Sequence, residues 1–584
     1  MRSSLCEKSC APRTRRSRQL YVVDSSTNPG IRLRISSLIR RDRRALDCTA
    51  LLAQAARSTV RAAALAACLI PLAACATRTP TTWMPGWEFV EPQPDVGPVK
   101  PAREREHQQP DLHVAVALSG GGHRAANFAL GALIGLEETS RPGADGRDLL
   151  DEVDLISSVS GGGFGASAYV GSLRDFRVAG GAAPDYSLAR VARGQEPLAD
   201  PLIRRHLERG YTDGILSAPL NSMRLLFDPS LNRTDAFEET VDDMVLGAEW
   251  RRDPDRVGDA QRQGLAEDGS LRLGDVFVPA WDERPVIVPH WVPNATVYET
   301  GGILPYAPGS LMQYLVTGYT HRLEDVAFEE GFGGHADADG LTPGEHAYRD
   351  WIFELPLAIG VTASANFPGV LPPTNLGSRF DPLNPWLLLV DGGVADNLGV
   401  LSAVRLLEQQ PEGERRVLVV VDAANGALGP FGRVDNTDFF TVAADLLGDT
   451  FLGTWHGRAR ELLAERCARS GIEVVFLSFE DLMDPHDFAA MKELPDTLGR
   501  WLRLDDDALR SVIKNSEGPL RLPGPRRPRP RDPAHPDRDL RPFELLRAVP
   551  TDFQCSNAEQ RLLVAAGRLV VAKRRHQILE AVGP

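Results

Sequence analysis

Residues 154–171 read DLISSVSGGGFGASAYVG. DLISSV is a short apolar run of strand character, and GASAYVGSLRDF beyond the glycines has the small residues of a closely packed helix, so Ser160 stands at a strand-to-helix turn. Glycines beside a hydroxyl let the backbone turn sharply, yet an ordinary turn of this kind wants them too. The role of Ser160 therefore depends on what else in the chain faces it.

The same arrangement recurs. LHVAVALSGGG is an apolar run ending at Gly120, Gly121 and Gly122, and FALGALIGLEE follows with helical spacing. Further on, RPVIVPHWVPNATVYE, WLLLVDGG, RRVLVVVDAANG and residues 471–477 have strand character, while DNLGVLSAVRLLEQQ is a helix. Residues 172–280 are mostly helical and charged, and 301–350 are irregular. Apolar strands alternating with helices predict an α/β fold with a mostly parallel central sheet covered on both faces, a three-layer α/β/α sandwich.

The formal charge of -14 is unevenly spread. Residues 1–75 hold 14 Lys and Arg against 4 Asp and Glu, which leaves 51 basic and 75 acidic residues in the remainder. An acidic body argues against nucleic acid as a partner. VRAAALAACLIPLAAC, residues 60–75, is a positive residue followed by an apolar segment shorter than the roughly 20 residues of a bilayer span, so it reads as a signal peptide. Its ending, Leu72-Ala73-Ala74-Cys75, resembles the lipobox of bacterial lipoproteins, which implies acylation of Cys75 and attachment to a bacterial membrane, with Ala76 implying the outer membrane and a periplasmic face. Residues 1–59 then read as a basic extension, consistent with a start placed upstream of Val60. Residues 75–110 read as a tether, 111–515 as the catalytic domain, 516–541 as a Pro/Arg-rich linker and 542–584 as a C-terminal helical segment that packs back on the domain. The alternative for the front is a basic tail with an incidental alanine-rich helix.

Three segments, each after a strand-like run, form a chemical set: SGGGHR at 119–124, SVSGG at 158–162 and VDGGVADNLG at 390–399. Parallel sheets place ligands outside the carboxyl ends of their strands. A hydroxyl nucleophile needs a base and backbone donors for the oxyanion it creates. Ser160 offers the nucleophile, Asp391 the base, and Gly120, Gly121 and Gly122 the amides. Gly161, and Gly162 beside it, begin the following helix and add positive dipole. Singly these motifs are weak, since DGG is a common tight turn and a GGG loop also suits nucleotides, although no Gly-Lys-Ser/Thr ending marks a P-loop here.

Together the segments resemble the patatin-like phospholipases, a family of serine acyl hydrolases. The resemblance implies a patatin-like sandwich, a Ser-Asp dyad of Ser160 and Asp391, a glycine-rich oxyanion loop with Arg124, an elbow at Ser160, and Gly392 and Gly393 beside the dyad aspartate. NAT at 294–296, ASANFPGVLPP at 363–373, VVVDAANG at 419–426 and VPTDF at 549–553 extend it. The elbow departs from Gly-x-Ser-x-Gly, because Ser158 stands at the first position. The implied activity is hydrolysis of acyl esters of membrane phospholipids or lysophospholipids through an acyl-enzyme. A carboxylesterase or thioesterase on smaller acyl groups and a non-catalytic envelope lipoprotein are the alternatives.

Several residues admit two roles. Arg124 either neutralises a phosphate or holds the glycine loop, and His123 is a local hydrogen-bonding or surface residue. MRLLF and the segment beginning WVPNATVYE line an acyl channel or belong to the core. Cys467 and Cys555, alone after Cys75, allow one disulfide. The acidic run FLSFEDLMDPHD reads as a solvated loop, and no HExxH or Cys/His cluster calls for a metal; no cofactor is expected.

Overall fold

The computed structural model describes residues 100, 109, 111–141, 147–182, 185–192, 233–252, 268–279, 282–311, 352–368, 371–377, 386–423, 453–498, 502–515, 541–547, 549 and 555–583. The basic extension, the signal peptide with Cys75, nearly all of the tether and of the linker, and MRLLF lie outside the described residues.

Eight strands form one sheet: β1 (Leu112–Leu118), β2 (Val153–Ser158), β3 (His290–Val297), β4 (Ile303–Pro305), β5 (Thr374–Gly377), β6 (Trp386–Asp391), β7 (Arg415–Asp422) and β8 (Ile472–Ser478). Their order is β5-β6-β3-β2-β1-β7-β8, with β4 paired to β3. The five strands β3, β2, β1, β7 and β8 run parallel, as their near-continuous apolar sequences predict for strands buried on both faces. β4, β5 and β6 join antiparallel.

Seven helices support the site: α1 (Gly122–Glu137), α2 (Gly161–Val178), α3 (Leu357–Ser364), α4 (Gly393–Asp396), α5 (Val400–Glu408), α6 (Gly453–Arg469) and α7 (Asn557–Val582). The crossovers β1-α1-β2 and β7-α6-β8 step across the sheet in opposite directions. Right-handed crossovers of opposite direction put their helices on opposite faces, which gives the α/β/α sandwich.

α7 starts at a capping box, in which the Ser556 hydroxyl accepts the Glu559 amide and the Glu559 carboxylate accepts the Ser556 amide at 2.9 Å. Its apolar first half lies on α1 so closely that a Cβ on Gly131 would meet the Val564 carbonyl oxygen at 2.3 Å. The Arg568 guanidinium closes the crossing, donating from Nε to Glu138 at 3.0 Å. Its basic second half finds partners in the acidic run: Lys573 bonds Asp487 at 2.8 Å and Arg574 bonds Asp481 at 2.8 Å. FLSFEDLMDPHD is thus not a solvated loop but a docking edge for α7, because Asp481 and Asp487 face that helix. Cys467 and Cys555 are both buried, and no disulfide joins them. In the segment beginning WVPNATVYE, Trp291 and Tyr306 are wholly buried in the core, whereas Tyr298 between them is 64% exposed.

Candidate active site

The strand registers bring the three motifs to one level. Leu118 stands opposite Ser158, and Ser158 opposite Pro293. Two residues further along β3, Ala295 stands opposite Asp391. Gly120 and Ser160 are likewise two residues beyond that row, about 7 Å past it at strand rise. β6 runs against β3 and delivers Asp391 from the opposite direction. The antiparallel strand β6 thereby ends near the same edge of the sheet as the parallel strands.

Ser160 turns the chain from β2 into α2 with φ 49 and ψ -123, and it is the sole non-glycine residue with positive φ among the described residues. Such a conformation is strained for a residue with a side chain and persists where its surroundings over-determine it. Two glycines make the turn possible. A Cβ on Gly161 would meet the Gly122 carbonyl oxygen at 1.9 Å, and one on Gly162 the Leu118 carbonyl oxygen at 2.5 Å. The elbow is thereby pressed against the glycine loop, whose own turn uses φ 138 at Gly121 and φ 57 at Gly122.

The Ser160 hydroxyl lies close enough to the Asp391 carboxylate to draw its pKa down. Asp391 is 6% exposed, and burial pushes its pKa up to about 6, against the opposing pull of the Gly393 amide and the Ser160 hydroxyl. The Gly393 amide donates to Asp391 Oδ1 at 2.7 Å. Thr296 donates its hydroxyl to the Asp391 carbonyl at 2.9 Å, and the Asp391 amide donates to the Asn366 carbonyl at 3.0 Å. Gly392 is required by proximity, since a Cβ there would lie 2.1 Å from the Asn294 carbonyl oxygen.

The amides divide into two groups. Those of Gly121, Gly122 and Gly161 make no hydrogen bond among the described residues. The Gly120 amide donates to the Asn397 carbonyl at 2.8 Å, which corrects its expected place among the oxyanion donors. Gly120 instead anchors the loop to the turn after β6. The Gly162 amide is similarly engaged by the Val159 carbonyl at 2.9 Å, leaving Gly162 a packing role.

Arg124 is buried and donates from Nε to the Ala423 carbonyl at 3.0 Å and from Nη1 to the Val549 carbonyl at 3.2 Å. Of its two expected roles, the geometry fits the holding of the loop, since the guanidinium joins the start of α1 to the exit of β7 and to the C-terminal segment. His123 is buried rather than on the surface. Ser158 is buried beneath the elbow, where its hydroxyl accepts the Trp291 indole N–H at 2.9 Å. Its direction accounts for a serine at the first position of the elbow.

Sequence reasoning did not single out the polar layer below Ser160 and Asp391. Asn294 donates to the Ser157 hydroxyl at 2.9 Å and the Ser158 carbonyl at 3.0 Å, while Ser402 donates to its side-chain oxygen at 2.5 Å. The Asn397 side chain sits between Gly120 and Gly393, within 2.6 Å of a Cβ on either. Asn294 and Asn397 lie inside the quoted motifs, where only distances show what they hold. Among the described residues, no three His, Cys, Asp or Glu side chains gather as a metal site.

No curated protein matches the chain. Among solved structures, human GIVD cytosolic phospholipase A2 is similar at 14% identity with a TM-score of 0.29, the likeness covering 80% of this chain and 62% of that one. The chain thus spans less than two thirds of that protein's length. The patatin-like phospholipase family matches residues 116–404, a span that holds Ser160, Asp391 and both glycine turns. On that match, residues 116–404 are a patatin-like phospholipase domain.

Proposed function

We propose that this protein is a serine lipid acyl hydrolase that cleaves the acyl esters of phospholipids or lysophospholipids with a Ser160–Asp391 dyad. The observation that carries the reading is the juxtaposition of a strained serine at a helix N-terminus with a buried aspartate of raised pKa. A base with a pKa near 6 is ionised at neutral pH and still basic enough to share a proton in the transition state.

Asp391 accepts the Ser160 hydroxyl proton as Oγ attacks the ester carbonyl. The amides of Gly121, Gly122 and Gly161, uncommitted in the fold, stabilise the resulting oxyanion. Collapse expels the lipid alcohol, which takes the proton from Asp391 and leaves an acyl-Ser160 ester. Asp391 then deprotonates water, which attacks that ester and releases the fatty acid and the serine. No histidine enters the cycle, in contrast to a Ser-His-Asp triad.

The test is release of fatty acid from phosphatidylcholine vesicles and from p-nitrophenyl butyrate by the full chain, Ser160→Ala and Asp391→Ala. Loss of vesicle hydrolysis in both variants supports the reading. Equal rates in all three sink the dyad, and activity confined to the small ester transfers the substrate to short acyl groups.

Cys75 belongs to the same proposal as the acylated residue that holds the domain at a bacterial membrane, the periplasmic face of the outer membrane in the reading above. The lipobox-like LAAC supports it. Incorporation of labelled palmitate that survives in Cys75→Ala would overturn it.

A further inference from the structure

Ladder pairing fixes the level of Ser160 but not its position, because the last cross-strand bond of this segment, from the Val159 amide to the Leu118 carbonyl at 3.0 Å, stops one residue short of it. Beyond that point the Ser160 backbone is held by little. Its carbonyl accepts the Gly163 amide at 2.9 Å, within its own helix. Its amide donates at 3.0 Å to the hydroxyl of Ser364, 204 residues away in sequence. Ser364 is wholly buried at the end of α3.

A serine in the last turn of a helix ordinarily returns its hydroxyl to the carbonyl four residues back. Ser364 turns toward the elbow instead, and its carbonyl accepts the Gly392 amide at 3.2 Å. One residue therefore binds the turn that carries Ser160 through its side chain and the turn that carries Asp391 through its backbone. Asp391 has further support in the Asn366 carbonyl and the Thr296 hydroxyl. Among the described residues, Ser160 has no other backbone bond across to that side.

We infer that Ser364 is a positioning residue for the reacting pair: its hydroxyl holds the strained Ser160 backbone at the place where Oγ meets the Asp391 carboxylate. The inference rests on the reading of Ser160 and Asp391 as that pair. Removal of the hydroxyl leaves the Ser364 carbonyl and every bond of Asp391 in place, and releases only the nucleophile. The effect belongs to the chemical step and not to substrate binding, since small displacements of a reacting atom act on the rate of attack.

The experiment compares Ser364→Ala, Ser364→Thr and Ser364→Val in the full chain. Threonine and valine have nearly the same shape and differ in the hydroxyl. The readouts are the rate of labelling by a fluorophosphonate, kcat and KM on p-nitrophenyl butyrate, and the melting temperature. Expected is a fall in labelling rate and kcat of about tenfold to a hundredfold for Ala and Val, with KM and melting temperature near the parent values and most of the rate restored by Thr. Labelling of Ser364→Ala at the parent rate overturns the inference. Equal slowing by Thr and Val, or a loss of rate that tracks a loss of folding, also overturns it by assigning Ser364 to packing. Ser160→Ala is the control: if it is still labelled, the nucleophile has been misassigned and the inference falls with it. If it is not labelled while Ser364→Ala is labelled normally, Ser364 alone is wrong.

Discussion

Gly161 lies so close to Gly122 that a Cβ on it would stand 1.9 Å from the Gly122 carbonyl oxygen. That obstacle is backbone, which cannot rotate away as a long side chain does. Gly161→Ala is therefore expected to push the elbow from the glycine loop and separate amides that must act on one oxygen. Loss of a single oxyanion donor costs on the order of a hundredfold in rate. Fatty-acid release should fall at least that far while circular dichroism still reports a folded protein, and unaltered release would show that the turns do not act together.

The acid limb of the rate profile should follow Asp391. In the proposed reaction it must be ionised to take the proton from Ser160, and burial holds its pKa up to about 6. Activity should fall tenfold per pH unit below that value. A kcat/KM profile that is level from pH 5 to 7 would remove Asp391 from the role of base.

The same burial has the opposite sign for stability. With a folded-state pKa of about 6 against an ordinary 3.8, the native protein binds this proton more tightly than the unfolded chain does. Stability from this group is greatest at low pH and declines as pH rises through that window. Asp391→Asn removes the buried charge and is expected to be more stable than the parent by about 2 kcal/mol at pH 8, with the gain shrinking toward pH 4. Urea unfolding at the two pH values checks this, and a variant less stable than the parent at pH 8 contradicts it.

Arg124→Met should cost about 3 kcal/mol, because it leaves the Ala423 and Val549 carbonyls buried without their donor. Lysine should not rescue it, since one ammonium does not reproduce a guanidinium that serves two carbonyls from Nε and Nη1. If stability is unchanged and only KM for phospholipid rises, Arg124 binds headgroup and does not hold the fold.

The alternation of apolar runs and helices made the parallel half of the sheet readable, because β1, β2, β3 and β7 are buried almost throughout and show it in their composition. The direction of β6 was not readable. WLLLVD has the same apolar character as a parallel strand, and only its pairing with Thr296 and Val297 reveals that it enters from the other end. Ser160, Asp391 and the glycines could be named because their types and spacing are set by local turns. Gly120 was misjudged as a donor because its partner, the Asn397 carbonyl, is far away in sequence. Ser364 escaped for the same reason, as nothing in ASANFPGVLPP distinguishes a hydroxyl that accepts the nucleophile's amide from one that bonds its own helix.

The family match ends at residue 404, short of β7. Yet β7 pairs with β1 along the full length of that central strand, and α7 covers the outer side of α1. A fragment cut at the family's limit would open the middle of the sheet to pairing with other chains and uncover the helix that carries the glycine loop. What is shared by descent and what folds cooperatively therefore have different borders in this protein, and anyone trimming it for expression should keep the chain through Val582.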